Sequence, residues 1–273
     1  MCFVYRLRVL NNPFCFETEV NALKKLHNRH NDFIVMIVLV DYDNIPRVVR
    51  QRGVQNVVNK ILQTIGVSHL RTSSRVRIRL YGGWYERNTL SRQAQQLAAD
   101  VQLYYPQGST ISDGTSTINI MTVVELAYSM EIDPGHVLED TYRNRNMPQG
   151  LRCNAPPYAY CSNTSTCRLF DVYQFIRTDS CPEVGCNVAP FEVLHKSEQK
   201  LVDTMLTADI IYLANQSLDN ICVISSDDDL WPGIKSALLA GGNILHIHTR
   251  TGRPTPFHYR RNAGSKYTEL YLS

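Results

Sequence analysis

The chain lacks a hydrophobic run long enough to cross a membrane. Its longest uninterrupted apolar stretch spans residues 33–40, whereas a membrane-spanning helix needs about 20 apolar residues. The N-terminus also lacks the apolar core and cleavage site of a secretory signal, because it contains Arg6, Arg8, Glu17 and Glu19. These absences predict a cytoplasmic protein without a membrane partner.

Lysine is scarce relative to arginine. The 273 residues contain 7 Lys and 21 Arg, and the net charge is only +3. Arginine binds phosphate through a planar, bidentate fork, so this bias favours a polyanionic partner such as a nucleic acid. A compositional preference of the genome is the other explanation. The 8 cysteines are expected to be thiols or metal ligands, because a reducing compartment disfavours disulfides.

Two apolar stretches run directly into acidic residues. Residues 221–224 precede two serines and three consecutive aspartates at 225–229, and residues 33–40 precede Asp41. Such continuous apolar stretches are typical of strands that are buried on both faces of a parallel sheet. Because ligands bind at the carboxyl ends of such strands, we expect the aspartates to meet at one functional edge. Their mutual repulsion favours a bound divalent cation such as Mg²⁺, which prefers oxygen ligands.

Predicted strands and helices alternate along the chain. Strands are predicted at residues 33–40, 75–84, 117–130, 221–224 and 243–249, and helices at 47–66, 90–102, 196–214 and 232–240. This order predicts an α/β fold with a central, mostly parallel sheet and helices on both faces. The fold is expected to occupy residues 33–273, after an N-terminal extension at 1–32 with an edge strand and a short helix. Asn44 is expected to cap the first helix or to contact substrate.

Residues 134–192 interrupt this alternation and are rich in proline and cysteine. They are predicted to form an inserted subdomain in which residues 169–177 are a strand of a small hairpin. The cysteines that flank this strand are Cys161, Cys167, Cys181 and Cys186. Four such thiolates can form a structural zinc site, and unpaired reduced thiols are the alternative. The insertion is a candidate surface for substrate or a partner, and the sequence leaves a homo-oligomer open.

Two further aspartates lie among apolar residues of the helix predicted at 196–214. Asp203 is expected to lean over the carboxyl edge of the sheet. Asp209 is expected to form an ion pair or to face solvent, since an unpaired buried carboxylate is costly. The carboxylates that can converge to hold one or two divalent ions are Asp41, Asp203, Asp227 and Asp229. Two such metals can activate a water and stabilise the leaving oxygen of a phosphodiester, so the cluster favours a metal-dependent nuclease.

Three sequence blocks occur in the order that is typical of one known family. The blocks are residues 38–45, Lys200 to Asp203 followed by Asp209, and residues 224–232 followed by two glycines at 241–242. In these blocks the chain resembles the NYN domains of the PIN-like nuclease superfamily. With the connecting helices, the resemblance covers residues 33–130 and 193–250.

The resemblance implies a PIN-like (Rossmann-like) fold and a Mg²⁺- or Mn²⁺-dependent ribonuclease that cleaves RNA internally. The residues at the acidic positions of the family, expected to be catalytic and to bind metal, are Asp41, Asp203, Asp227 and Asp229. The expected substrate contacts are Asn44 and Ser225 near the scissile phosphate, together with Lys200. The chain departs from the family pattern at Leu201, where a small residue is usual, and at Leu230, where an aromatic is usual. These departures leave the acidic residues in place and bear on the choice of substrate.

Two other classes of function fit part of the pattern. Asp41 and Asp43 after an apolar strand also resemble the haloacid-dehalogenase-type phosphohydrolases. There the first aspartate accepts a phosphoryl group and the second is a general acid, and Asp203 would have no role. The other alternative is a non-catalytic module that binds RNA or a protein partner.

The C-terminal tail interleaves cations with aromatic residues. These residues are Arg250, Arg253, Arg260, Arg261 and Lys266, with Phe257, Tyr259 and Tyr267. Such a mixture suits single-stranded RNA, whose bases stack on aromatic side chains. An ordinary solvated tail is the alternative interpretation.

Overall fold

A computed structural model describes residues 35–146, 150–155, 167–199, 201–216, 220–250, 252 and 254–272. The strand and helix expected within residues 1–32 lie outside these ranges, as do Lys200, Cys161 and Arg253. No helix in the described ranges combines the length and the hydrophobicity of a membrane span.

The described chain alternates between strands and helices. The strands are β1 (Val35–Asp41), β2 (Arg75–Tyr81), β3 (Tyr85–Glu86), β4 (Thr89–Leu90), β5 (Gln107–Ser112), β6 (Thr117–Leu126), β7 (Tyr142–Asn146), β8 (His195–Gln199), β9 (Asn220–Ile224), β10 (Asn243–His248) and β11 (Tyr267–Tyr271). The helices are α1 (Arg47–Arg50), α2 (Val54–Leu70), α3 (Arg92–Tyr104), α4 (Leu169–Thr178), α5 (Pro190–Val193), α6 (Val202–Asn215), α7 (Trp231–Leu239) and α8 (Phe257–Arg260).

A seven-stranded sheet organises the domain. Its spatial order is β11-β10-β9-β1-β2-β6-β5. Neighbouring strands are parallel from β11 to β6, and β5 runs antiparallel to β6. A smaller sheet has the order β4-β3-β7-β8. The predicted mixed α/β fold with a mostly parallel central sheet is confirmed.

Both faces of the central sheet are buried against helices. Met36, Val38 and Val40 belong to a core cluster that contains the apolar side of α2. Ile37 and Leu39 belong to a second cluster, which contains apolar residues of α6 and α7. Because successive strand residues point to opposite faces, β1 must be apolar throughout to bury both of its faces. This explains the continuous hydrophobic stretch that precedes Asp41.

The helix predicted at residues 47–66 is in fact two helices. Gly53 has a φ of 90° between α1 and α2, and Gly66 has a φ of 70° inside α2, which continues to Leu70. Glycine adopts such positive φ values readily because it has no Cβ. Val48 lies on the short α1 and is 60% exposed, although it is apolar. The predicted helix cap at Asn44 is also wrong, because α1 begins after Pro46 without a side-chain cap.

Two segments around the insertion have a different secondary structure from the predicted one. Residues 169–177 lie in α4 instead of a strand, and Tyr173 contacts Phe170 and Arg177 at helical spacing. Residues 196–199 lie in β8, which pairs antiparallel with β7, instead of in the following helix. Leu201 has a φ of 66° and separates β8 from α6.

Candidate functional site

The carboxyl ends of β1 and β9 lie side by side, because Val40 pairs with Ile224 in parallel register. The Ser225 hydroxyl donates a 2.9 Å hydrogen bond to Oδ2 of Asp41. The same hydroxyl accepts a 3.0 Å hydrogen bond from the backbone N–H of Asp227. Ser225 and Asp41 are both buried, so the serine fixes the orientation of the Asp41 carboxylate.

Asn44 connects the first acidic turn to the ends of β9 and β10. Its side-chain oxygen accepts hydrogen bonds from the Thr249 hydroxyl, at 2.7 Å, and from the Ser226 N–H, at 3.4 Å. The Ser226 hydroxyl in turn accepts hydrogen bonds from the N–H groups of Thr249, at 2.9 Å, and Arg250, at 3.0 Å. The loop that carries Asp227 is therefore held on both sides by polar groups.

The four predicted acidic residues are coupled through their charges. Asp203 lies in the first turn of α6. Burial raises its pKa, and the charges of Asp227 and Asp229 raise that pKa further. Burial also raises the pKa of Asp41 to about 6, although its hydrogen bond from Ser225 lowers it, and the charge of Asp203 adds to the rise. The carboxylates thus repel one another at the edge where the sequence predicted them.

These side chains are chemically suited to a hard divalent cation. All four are carboxylates, and a cation would relieve the repulsion that raises the pKa of Asp41 and Asp203. Among the described residues, no three His, Cys, Asp or Glu side chains are grouped so that they could hold a metal ion. Mg²⁺ usually keeps several waters and uses one or two carboxylates. The site therefore fits a hydrated ion better than one enclosed by protein ligands.

The predicted zinc ligands are described only in part. Cys167, Cys181 and Cys186 are free thiols of intermediate exposure, and Cys161 lies outside the described ranges. Within those ranges no zinc-type ligand group is found. Zinc binding by the insertion stays a prediction.

Asp43 is paired with donors outside the group of four aspartates, although its charge also raises the pKa of Asp41. Its Oδ1 accepts a 2.9 Å hydrogen bond from Arg50, which also forms an ion pair with it. Its Oδ2 accepts a hydrogen bond from the Gln199 amide. Both carboxylate oxygens are thus engaged by donors. Neither partner was identified from the sequence, because Arg50 is on the next helix and Gln199 is on a strand of the smaller sheet.

Asp209 is not one of the aspartates at the acidic edge, and its hydrogen bonds stabilise the buried core. It is fully buried, and it accepts hydrogen bonds from the Tyr81 hydroxyl, at 2.6 Å, and the Glu131 N–H, at 2.7 Å. A guanidinium nitrogen of Arg79 lies 3.8 Å away. Of the two expected environments, the ion pair is confirmed and the solvent-facing position is wrong.

A buried polar cluster lies behind the Ser225 loop. Nε2 of His246 lies 3.1 Å from the Ser225 carbonyl oxygen, and Nδ1 lies 2.8 Å from the Tyr267 hydroxyl. If Nε2 carries the proton it donates to Ser225, and Nδ1 accepts from Tyr267. Burial lowers the pKa of His246 to about 4, and the neighbouring His248 lowers it further. The neutral imidazole thus supports the backbone of the loop.

The C-terminal tail is partly structural. Tyr259 stacks on Trp231 with ring centroids 5.3 Å apart. The Lys266 ammonium donates a 2.7 Å hydrogen bond to the Gly241 carbonyl, and Arg260 pairs with Glu269 at 3.2 Å. These contacts attach the tail to the sheet, and β11 completes its edge. Arg260 and Lys266 nevertheless remain exposed, so RNA binding by the tail and an ordinary solvated tail both stay predictions.

Sequence reasoning missed several residues that organise the site. Thr249 follows the buried strand β10 at the same edge, so the rule that found Asp41 and Asp227 would also have found Thr249. His246 gave no such signal, because it lies within β10 and its contact with Ser225 depends on how the strands pair. Comparison with protein families, with curated proteins and with solved structures found no match to this chain.

Proposed function

We propose that this protein is a metal-dependent endoribonuclease of the PIN-like NYN type. The observation that carries the proposal is the coupling of four carboxylates, Asp41, Asp203, Asp227 and Asp229, at the carboxyl edge of a parallel sheet. When bound there, Mg²⁺ or Mn²⁺ would activate a water and stabilise the leaving oxygen of a phosphodiester. The excess of arginine agrees with an RNA substrate.

Residues of the chain would contribute in two ways, by binding the cation and by orienting the groups that bind it. The aspartates would hold a hydrated cation, some of them through its waters, and Ser225 would keep the Asp41 carboxylate oriented through the 2.9 Å hydrogen bond. Asn44 would fix the Asp227 loop through Thr249 and Ser226. These hydrogen bonds would pre-organise the carboxylates for the reaction.

The hydrogen bonds of Asp43 argue against the phosphohydrolase alternative. In that chemistry the second aspartate must donate a proton to the leaving group. Asp43 instead accepts hydrogen bonds from Arg50 and Gln199, so donors engage both of its oxygens. Asp203, which would be unused in that alternative, interacts with Asp227 and Asp229. Both features favour the nuclease.

Cleavage of end-labelled single-stranded RNA in Mn²⁺ tests the proposal. Internal cuts are expected in Mn²⁺, and they should disappear with chelator and in the Asp203→Asn protein. Asp228→Asn is the matched control. Asp228 lies in the same loop, but its charge raises the pKa of His248 and is not among the charges that raise the pKa of Asp203. That variant should keep its activity.

Other outcomes would identify the alternatives. Hydrolysis of a small phosphomonoester without RNA cleavage would contradict the nuclease and support a phosphohydrolase. Binding of uncut RNA that is insensitive to chelator would indicate a non-catalytic module.

A further inference from the structure

A polar cleft lies beside the acidic edge, on the side of β2. Its volume is about 510 Å³, and its lining includes Asp43, Gly83, Glu86, Arg92 and Tyr142. Asp43 is two residues from Asp41 in the chain, and Gly83 follows β2, the neighbour of β1 in the sheet. The cleft therefore continues the line of strand ends that runs from β9 through β1 to β2.

The smaller sheet forms one wall of this cleft. A Cβ atom on Gly83 would lie 3.0 Å from Cδ2 of Tyr142 and 3.3 Å from Cγ of Gln199. These distances are shorter than most real contacts of a Cβ, so β7 and β8 approach the main chain here as closely as a glycine allows. The Ser91 N–H also donates a 2.7 Å hydrogen bond to the Trp84 carbonyl, which fixes the start of α3 opposite that wall. The cleft is thus bounded by fixed elements.

The chemical character of the lining suits a nucleotide. Arg92 and Glu86 are exposed and oppositely charged, and neither side chain makes a hydrogen bond or an ion pair with another described residue. Tyr142 supplies an aromatic ring on the wall, and single-stranded RNA is commonly bound by stacking of its bases on such rings. Arginine binds phosphate, and a glutamate accepts hydrogen bonds from the N–H groups of a base.

We propose that this cleft binds the base and phosphate of a nucleotide next to the scissile phosphate of single-stranded RNA. This inference rests on the proposed nuclease function. Tyr142 stacks on the base, Arg92 binds its phosphate, and Glu86 accepts hydrogen bonds from the edge of the base. Guanine presents two adjacent N–H donors to a carboxylate, whereas uracil presents one. The cleft therefore favours guanine over uracil.

Binding in chelator tests the cleft separately from cleavage. The probes are fluorescent eight-nucleotide RNAs, one of uridine alone and one with a single central guanosine. Tyr142→Ala should weaken binding of the guanosine probe by about tenfold, since stacking accounts for about 1–3 kcal/mol per base. Arg92→Ala should weaken binding of both probes by about fivefold through loss of a phosphate contact. Glu86→Gln should abolish the preference for the guanosine probe.

Two control variants separate a binding role from a loss of fold. Tyr142→Phe keeps the ring and should bind as the wild type does. Arg71→Ala removes an exposed arginine at the end of α2, near the start of β2 and so at the opposite edge of the sheet. It should also leave binding unchanged.

The outcomes distinguish this inference from the nuclease proposal. Unchanged affinity for RNA in Tyr142→Ala and Arg92→Ala would overturn the proposed role of the cleft, even if the wild type cleaves RNA. If these variants bind RNA more weakly but the wild type does not cleave RNA, the proposed nucleotide site is supported and the proposed nuclease function is overturned. Absence of RNA binding by the wild type would overturn both. If RNA is cut in Mn²⁺, the cuts should lie at a fixed distance from guanosine, and Glu86→Gln should lose that preference.

Discussion

The hydroxyl of Tyr81, at the end of β2, donates a 2.6 Å hydrogen bond to the fully buried carboxylate of Asp209 on α6. Asp203 lies six residues earlier on the same helix, about 9 Å along its axis. The Tyr81–Asp209 bond therefore fixes α6 against the sheet and places Asp203 at the acidic edge. Asp209 contributes to the site through position rather than by contact with the acidic group.

Tyr81→Phe is expected to destabilise the protein by about 1–3 kcal/mol, because a buried carboxylate loses a donor. Urea denaturation at pH 7 measures this change. Tyr104→Phe is the control, since Tyr104 is 39% exposed and its variant should be as stable as the wild type. A Tyr81→Phe protein with wild-type stability would show that Glu131 and Arg79 satisfy Asp209 without the tyrosine.

Asp41→Asn is expected to change how stability depends on pH. The pKa of Asp41 is raised from 3.8 to about 6, so the folded state keeps a proton that the unfolded state releases between these values. Stability from this group is highest below about pH 4 and falls as the pH rises to 6. The stability of Asp41→Asn relative to the wild type should therefore rise by up to about 3 kcal/mol between pH 4 and pH 7.

Urea denaturation in chelator at both pH values measures the Asp41 effect. The amide also loses one hydrogen bond of the carboxylate, which changes stability at both pH values. The test is therefore the change, between pH 4 and pH 7, in the stability difference between variant and wild type. A constant difference between variant and wild type would contradict the raised pKa.

His246→Gln is expected to make the protein less sensitive to acid. The pKa of His246 is lowered from 6.5 to about 4, so between these values the unfolded state binds a proton that the folded state does not. Stability from this group is present above pH 6.5 and is lost as the pH falls towards 4. Replacement by an uncharged residue should reduce the loss of stability across this range by about 3 kcal/mol.

Thermal or urea denaturation between pH 7 and pH 4.5 tests the role of His246. His248 also has a lowered pKa, so part of the acid sensitivity should persist in His246→Gln. An unchanged slope would show that the acid sensitivity arises elsewhere.

Thr249→Val is expected to impair cleavage more than folding. The change removes the hydroxyl that donates to Asn44 at 2.7 Å and should destabilise the protein by about 1 kcal/mol. Because small displacements of reacting groups lower rates steeply, kcat for RNA cleavage should fall roughly tenfold. Thr268→Val, at an exposed position of β11, should retain the wild-type rate. Equal rates in both variants would show that Thr249 does not fix the Asp227 loop.

The local sequence predicted secondary structure correctly where a strand is buried along its whole length. It did not do so where a strand forms only by pairing with a distant segment. The stretches before Asp41 and Ser225 were correctly predicted as strands, because short continuous apolar runs bounded by polar residues are typical of strands buried on both faces. The stretch at residues 196–199 reads equally well as the start of a helix. It becomes β8 because β7 offers it a partner, and that pairing cannot be read from local periodicity.

The sequence by itself determined the mostly parallel α/β sheet and the edge where the aspartates meet, because hydrophobic periodicity and strand ends are local properties of the chain. Tertiary structure alone decided the roles of individual acids. Asp43 and Asp209 are the same residue type as Asp41 and Asp203, so the sequence does not separate their roles. In the fold, Asp43 accepts hydrogen bonds from Arg50 and Gln199. Asp209 accepts hydrogen bonds from Tyr81 and Glu131. The physical reason is that the protonation and availability of a carboxylate depend on its burial and on donors brought from distant segments, which only the folded chain assembles.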